Sequence, residues 1–163
     1  IKVGGWGGGG GNCVKHMVDS GSDGVDFIFA NTDAQALTKI SGTKSLQIGC
    51  NITKGLGAGA TPEVGQQAAL EDRELIQEAI ANTDMLFVTA GMGGGTGTGA
   101  APVIAEMAKN YGALTVGIVT TPFLFEGMKR QRVAKQGINE LKKVVDTLIV
   151  VPNQRLMSFA ERS

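Results

Sequence analysis

Residues 91–99 of this chain read Gly-Met-Gly-Gly-Gly-Thr-Gly-Thr-Gly, and their types and spacing could do chemistry. Glycine at this density lets a backbone turn sharply and lets another group come within contact distance. None of these side chains is charged, so the attractive groups are backbone N–H donors, with the Thr96 and Thr98 hydroxyls beside them. Such a loop at the start of a helix suits an anion, and phosphate is the usual guest. Two more glycine-rich stretches repeat the pattern, at residues 5–11 and at Gly55-Leu56-Gly57-Ala58-Gly59-Ala60. A flexible linker would not be flanked so tightly by structured segments.

The segments flanking the loop must position it. Residues 85–90 are an apolar, β-prone run that predicts a buried strand. Residues 100–111 have helical spacing, with Val103, Ile104, Met107 and Ala108 on one face, Pro102 in the first turn and Gly112 as the stop. The N-terminal third repeats the unit: a strand to Trp6, a glycine loop over 7–11, a helix over 12–20 and a strand over 25–30. Asn31-Thr32-Asp33 then makes a polar turn able to cap a helical 34–37. A short strand is expected at 46–48 and one helix over 62–81, with Val64, Ala68, Leu75, Ile76 and Ile80 inward. Strands at 114–120 and 147–151 bracket a loop at 123–126 and a helix over 129–145, whose inner side is Val133, Ile138, Leu141, Val144 and Val145. A helical tail follows Pro152. Alternating strands and helices predict an α/β fold: a Rossmann-like, three-layer arrangement of a parallel sheet with helices on both faces. Its ligand crevice lies at the carboxyl ends of the strands, where the glycine loops can converge.

Composition narrows the function. A chain of 163 residues with 42% hydrophobic content can bury one good core. Fifteen basic and fifteen acidic residues cancel, which argues against a nucleic-acid surface. No apolar run approaches the ~20 residues that span a bilayer, so no direct membrane insertion is expected. Cys13 and Cys50 have no metal-ligand spacing and read as reduced thiols of a cytoplasmic protein. The sequence opens at Ile1 inside a strand, which reads as a fragment.

Two nucleotide motifs compete for the first loop. Gly5-x-Gly7-x-x-Gly10, with Asp33 near the end of the second strand, fits a dinucleotide fingerprint. Taken alone it predicts an NAD-binding oxidoreductase domain, but five consecutive glycines satisfy the pattern almost automatically, and the central loop is left without a role. Gly42-Thr43-Lys44-Ser45 lacks the features of a P-loop.

The sequence Gly93-Gly94-Gly95-Thr96-Gly97-Thr98-Gly99 resembles the signature of the tubulin/FtsZ GTPase superfamily, and Thr98 favours its bacterial branch. The resemblance extends through Gly7 to Asn12, the run from Asn31 to Leu37, Gly55 to Ala60, Phe125-Glu126-Gly127 and Val151-Pro152-Asn153. It implies that residues 1–163 are a GTP-binding domain lacking the central helix and C-terminal domain that follow in the family. By the same resemblance, Gly8, Gly9 and Asn12 lie along the nucleotide, and Gly59 and Ala60 approach its terminal phosphate. Gly93, Gly94, Gly95, Thr96, Gly97, Thr98 and Gly99 wrap the phosphates, Glu126 and Arg130 hold the ribose, and Asn31 and Asp33 border the phosphate and magnesium side.

The resemblance implies GTP/GDP and Mg²⁺ as ligands, and self-association into head-to-tail filaments with other cell-division proteins at a cytoplasmic division site. It also implies metal-assisted attack of water on the γ-phosphate. The catalytic acid comes from the next subunit, so no catalytic residue is expected in these residues and little turnover from them alone. A non-catalytic assembly module of the same fold is the further alternative. Departures from the family pattern are Gly4 and Trp6, which replace branched aliphatics, and Thr121 and Met128, which replace basic residues. Read without the family, Glu126 and Arg130 are an ordinary surface pair and Asp33 a helix cap. His16 is then a solvated histidine, and Lys129, Arg130 and Arg132 a solvated face.

Overall fold

The computed structural model describes residues 1–19, 24–32, 43–49 and 61–152. Its frame is one all-parallel sheet of β1 (Lys2–Trp6), β2 (Asp26–Asn31), β3 (Thr43–Gln47), β4 (Met85–Gly91), β5 (Leu114–Thr121) and β6 (Thr147–Pro152). The spatial order is β3-β2-β1-β4-β5-β6. Strand order reverses between β1 and β4, the place where open α/β sheets leave a crevice. The register sets Trp6 level with Ala30 and with Ala90, so three strands end side by side there.

The helices are α1 (Gly7–Asp19), α2 (Pro62–Glu71), α3 (Arg73–Ile80), α4 (Thr96–Asn110) and α5 (Met128–Lys142), with a 3₁₀ turn at Leu124–Glu126. On one face, Val14 of α1 packs with Val3 and Phe27. On the other, Ile76, Ile80, Ile104 and Leu141 pack against Trp6, Leu86, Val88 and Val119. The parallel α/β sheet with helices on both faces is therefore observed, and alternation of side chains along each strand supplies the two apolar faces. Among the described residues no helix is long and apolar enough to cross a membrane.

Several boundaries differ from expectation. Residues 7–11 are not a loop: α1 begins at Gly7, directly after the strand. The central loop ends earlier than expected, because Thr96 to Gly99 already form the first turn of α4. Pro102 consequently lies inside that helix, where its missing N–H deprives the Thr98 carbonyl of its usual helical donor. The single helix expected over 62–81 is two helices broken at Asp72, whose carboxylate accepts a hydrogen bond from the Gly49 N–H at 2.7 Å. A side chain committed to a neighbouring strand end competes with continued helix. Residues 124–126 make a 3₁₀ turn where a loop was expected. The helices expected at 34–37 and after Pro152, and the third glycine loop expected at 55–60, lie outside the described residues.

The two unusual residues of β1 fit one another. Trp6 is fully buried, and a Cβ added at Gly4 would lie 2.8 Å from its Cζ2. Glycine at position 4 vacates the volume that the indole fills. The Trp6 Nε1 nonetheless has no hydrogen-bond partner in that apolar layer, a burial that costs roughly 1–3 kcal/mol.

Candidate functional site

At the end of β1 the chain enters α1 through Gly7, whose φ of 79° is open to glycine and strained for other residues. The helical glycines that follow are close-packing residues. A Cβ on Gly10 would strike the Thr89 carbonyl oxygen, one on Gly11 the Phe29 ring, and one on Gly5 the Gly10 carbonyl. Gly10 and Gly11 each lower helix propensity by about 1 kcal/mol relative to alanine, and with Gly5 of β1 they let α1 lie on the sheet at backbone distance. The first N–H groups of α1 have no partner within the helix, and they carry the positive end of its dipole to the carboxyl edge of the sheet.

At the end of β4 the chain takes a short loop before α4. The Met92 N–H donates to the Thr120 carbonyl of β5 at 2.8 Å. Gly93, with φ 109°, donates its N–H to Thr98 Oγ1 at 2.9 Å, so the Thr98 hydroxyl braces the loop that precedes it. A Cβ on Gly94 would meet nothing within 4 Å among the described residues. Gly97 is the reverse case, hemmed by the Trp6 carbonyl at 2.9 Å and the Gly91 carbonyl at 3.0 Å from where its Cβ would stand.

The two junctions touch. A Cβ on Gly7 would lie 3.0 Å from the Gly97 nitrogen, and one on Gly9 would lie 3.0 Å from the Gly91 Cα. Two helix starts therefore abut at the point where strand order reverses. The third strand end joins them: Thr32, following β2, places its hydroxyl 2.6 Å from that of Thr96. Asn31 is buried, and its Oδ1 accepts the Thr32 N–H at 2.8 Å. Neither junction contains a lysine or arginine. An anion here would be met by backbone N–H groups, two helix dipoles and threonine hydroxyls.

The remaining sequence candidates fall around this edge or outside the description. Gly8 and Gly9 are in the first turn of α1, and Asn12 is exposed one turn further along. Arg130, half-buried in α5, brings its backbone carbonyl oxygen 3.2 Å from where a Cβ of Gly93 would stand. Glu126 spends its carboxylate on the Phe123 N–H at 2.6 Å, capping the 3₁₀ turn, and does not pair with Arg130. Thr121 is half-buried at the end of β5 and Met128 is exposed at the start of α5. Asp33, Gly59 and Ala60 lie outside the described residues. Among the described residues no three His, Cys, Asp or Glu side chains cluster as metal ligands. Thr32 was not among the sequence candidates, although a polar residue closing a buried strand at a glycine-lined edge is the signal that marks it.

The model of the Tubulin/FtsZ family, GTPase domain, matches residues 1–161. The chain belongs to the tubulin/FtsZ family. It is 62% identical to the cell division protein FtsZ of Pseudomonas putida over 159 residues, which are 98% of this chain and 40% of that protein. The chain thus spans less than half the length of that relative. The empty FtsZ dimer of M. jannaschii superposes with a TM-score of 0.93 at 46% identity, over 98% of this chain and 46% of that one. The GTPγS-bound protofilament of CetZ2 from Haloferax volcanii gives 0.85 at 27% identity, over 94% and 49%. Membership of the tubulin/FtsZ family does not favour the dinucleotide-binding oxidoreductase reading.

Proposed function

We propose that this chain is the nucleotide-binding half of an FtsZ-like cytoskeletal GTPase, with GTP or GDP held where α1 and α4 begin. The observation that carries the proposal is the pair of abutting helix starts at the strand-order reversal, with Gly94 facing open space among the described residues. Backbone N–H groups of residues 7–9 and 94–97 receive the phosphates, the Gly93 N–H being held by Thr98 Oγ1, and the dipoles of both helices favour the negative charge. Glu126, through the carboxylate oxygen that does not cap the 3₁₀ turn, and Arg130, on the β5–α5 side of the loop, hold the ribose.

Mg²⁺ fits this edge, because it binds mainly through phosphate oxygens and water and asks for few protein oxygens. By the family resemblance Asn31 and Asp33 would border the ion, and when bound it would neutralise charge on the γ-phosphate. The intact protein polymerises head to tail with nucleotide between subunits, and the acid that promotes hydrolysis comes from the neighbouring subunit. Its partners are further copies of itself and other cell-division proteins at a cytoplasmic division site. The cell-division role of the P. putida relative and the GTPγS protofilament of CetZ2 support this reading.

Competition binding tests it. A fluorescent GTP analogue bound to the intact protein is expected to be displaced by GTP and GDP but not by ATP or NADH. Displacement by NADH would replace the proposal with the dinucleotide alternative.

A further inference from the structure

We infer that Thr32 is a positioning residue for nucleotide binding, acting by setting the direction of the Thr96 hydroxyl. The inference rests on the proposed nucleotide site. Thr32 is 0% exposed and Thr96 is 8% exposed, so neither hydroxyl trades its partner freely for water. Their oxygens are 2.6 Å apart, the short end of hydroxyl–hydroxyl hydrogen bonds.

Each hydroxyl has one proton and two lone pairs, and this bond consumes one proton and one lone pair. The direction of donation decides what Thr96 can offer beyond it. When Thr96 donates to Thr32, it has only lone pairs left for the crevice, and these repel a phosphate oxygen. When Thr32 donates to Thr96, the Thr96 proton is available to a phosphate. An ionised phosphate oxygen only accepts, so nucleotide binding selects the second arrangement, and Thr32 must be the donor. Donation into the Thr96 oxygen also polarises its O–H and strengthens the outward bond.

The surroundings support this arrangement. Thr96 is the first residue of α4, two residues after the open position at Gly94, and its Cβ lies 3.5 Å from where a Gly7 Cβ would stand. Its side chain is thus set between the two helix starts. Thr32 is held by Asn31, whose Oδ1 accepts its N–H. The chain Asn31–Thr32–Thr96 therefore ties the end of β2 to the phosphate edge.

The test compares Thr32→Val, which keeps the shape and removes the hydroxyl, with Thr32→Ser, Thr96→Val and the double valine variant, in the intact protein. GTP affinity and the unfolding temperature without nucleotide are read for each. Thr32→Val is expected to weaken GTP binding about fivefold, because the Thr96 hydroxyl keeps its bond to phosphate but loses the donor that orients and polarises it. Thr32→Ser should stay within about twofold of the parent. The double variant should bind no more weakly than Thr96→Val alone, since both changes remove one interaction.

Should Thr32→Val not fold, Thr32→Cys, a poor donor of similar size, must weaken binding where Thr32→Ser does not. A drop in unfolding temperature with unchanged GTP affinity would make Thr32 a mere strut between β2 and α4 and overturn the inference. Multiplying effects in the double variant would overturn it as well. Failure of the parent protein to bind GTP would overturn the nucleotide site itself together with this inference.

Discussion

At the end of β1 the chain passes from Trp6 straight into α1, whereas at the end of β4 residues 92–95 intervene before α4 begins. Both junctions are glycine-rich, yet their glycines meet different neighbours. In the first, Gly10 and Gly11 press on the Thr89 carbonyl and the Phe29 ring, so side chains are excluded by the protein itself. In the second, a Cβ on Gly94 would meet nothing within 4 Å among the described residues, and the loop around it is held by the Gly93–Thr98 and Met92–Thr120 hydrogen bonds. A glycine string alone does not distinguish a helix seated on a sheet from a loop kept open for a ligand. The neighbours of each missing Cβ do.

The difference is broken most forcefully at Gly10. Alanine there would gain about 1 kcal/mol of helix propensity, but its Cβ would strike the Thr89 carbonyl and the Gly5 backbone, neither of which can rotate away. The expected net loss is about 3 kcal/mol, read as a large fall in the denaturation midpoint. A Gly10→Ala protein as stable as the parent would show that α1 does not sit at backbone distance.

A smaller effect is expected below the same junction. Gly4→Val places atoms where the Trp6 indole lies and should destabilise by about 2 kcal/mol. Adding Trp6→Val should recover at least half of that, because it removes both the clash and the unpartnered indole N–H. Additive losses in the double variant would mean that the two residues do not share one volume.

The split also explains what the sequence could reveal. Apolar runs at 85–90 and 114–120, with helical spacing between them, made the strand–helix alternation plain, and the threonine-punctuated loop marked the candidate site. The helix starts were hidden, because residues 7–11 and 96–99 are glycine-rich and carry poor helix propensity. Tertiary contact, Gly7 against Gly97 and Gly99 against the Pro62 carbonyl, overrides that preference. The break at Asp72 was equally hidden, since it depends on a hydrogen bond to Gly49, which is distant in sequence. Gly4 and Trp6 stood out as departures from the family pattern, but their complementarity needed the strand geometry. Glu126 and Arg130 read as a pair four residues apart, whereas the Glu126 carboxylate is taken by the Phe123 N–H.

The smallest change in fold is expected where the ligand matters most. Among the described residues Gly94 has no neighbour within 4 Å of a Cβ, and its backbone is not among the positive-φ glycines. Gly94→Ala should therefore shift stability by no more than about 1 kcal/mol, in the stabilising direction, through a less disordered unfolded chain. The added methyl would stand in the open space where phosphate is proposed to approach, so GTP affinity should fall about tenfold or more while the unfolding midpoint holds. Gly10→Ala would show the opposite order, with loss of fold first and loss of binding only as a consequence. Measured together, the two variants separate a glycine that the protein excludes from one that the ligand excludes. Unchanged GTP binding by Gly94→Ala would move the phosphates away from residues 93–95 and toward the N–H groups at the start of α1.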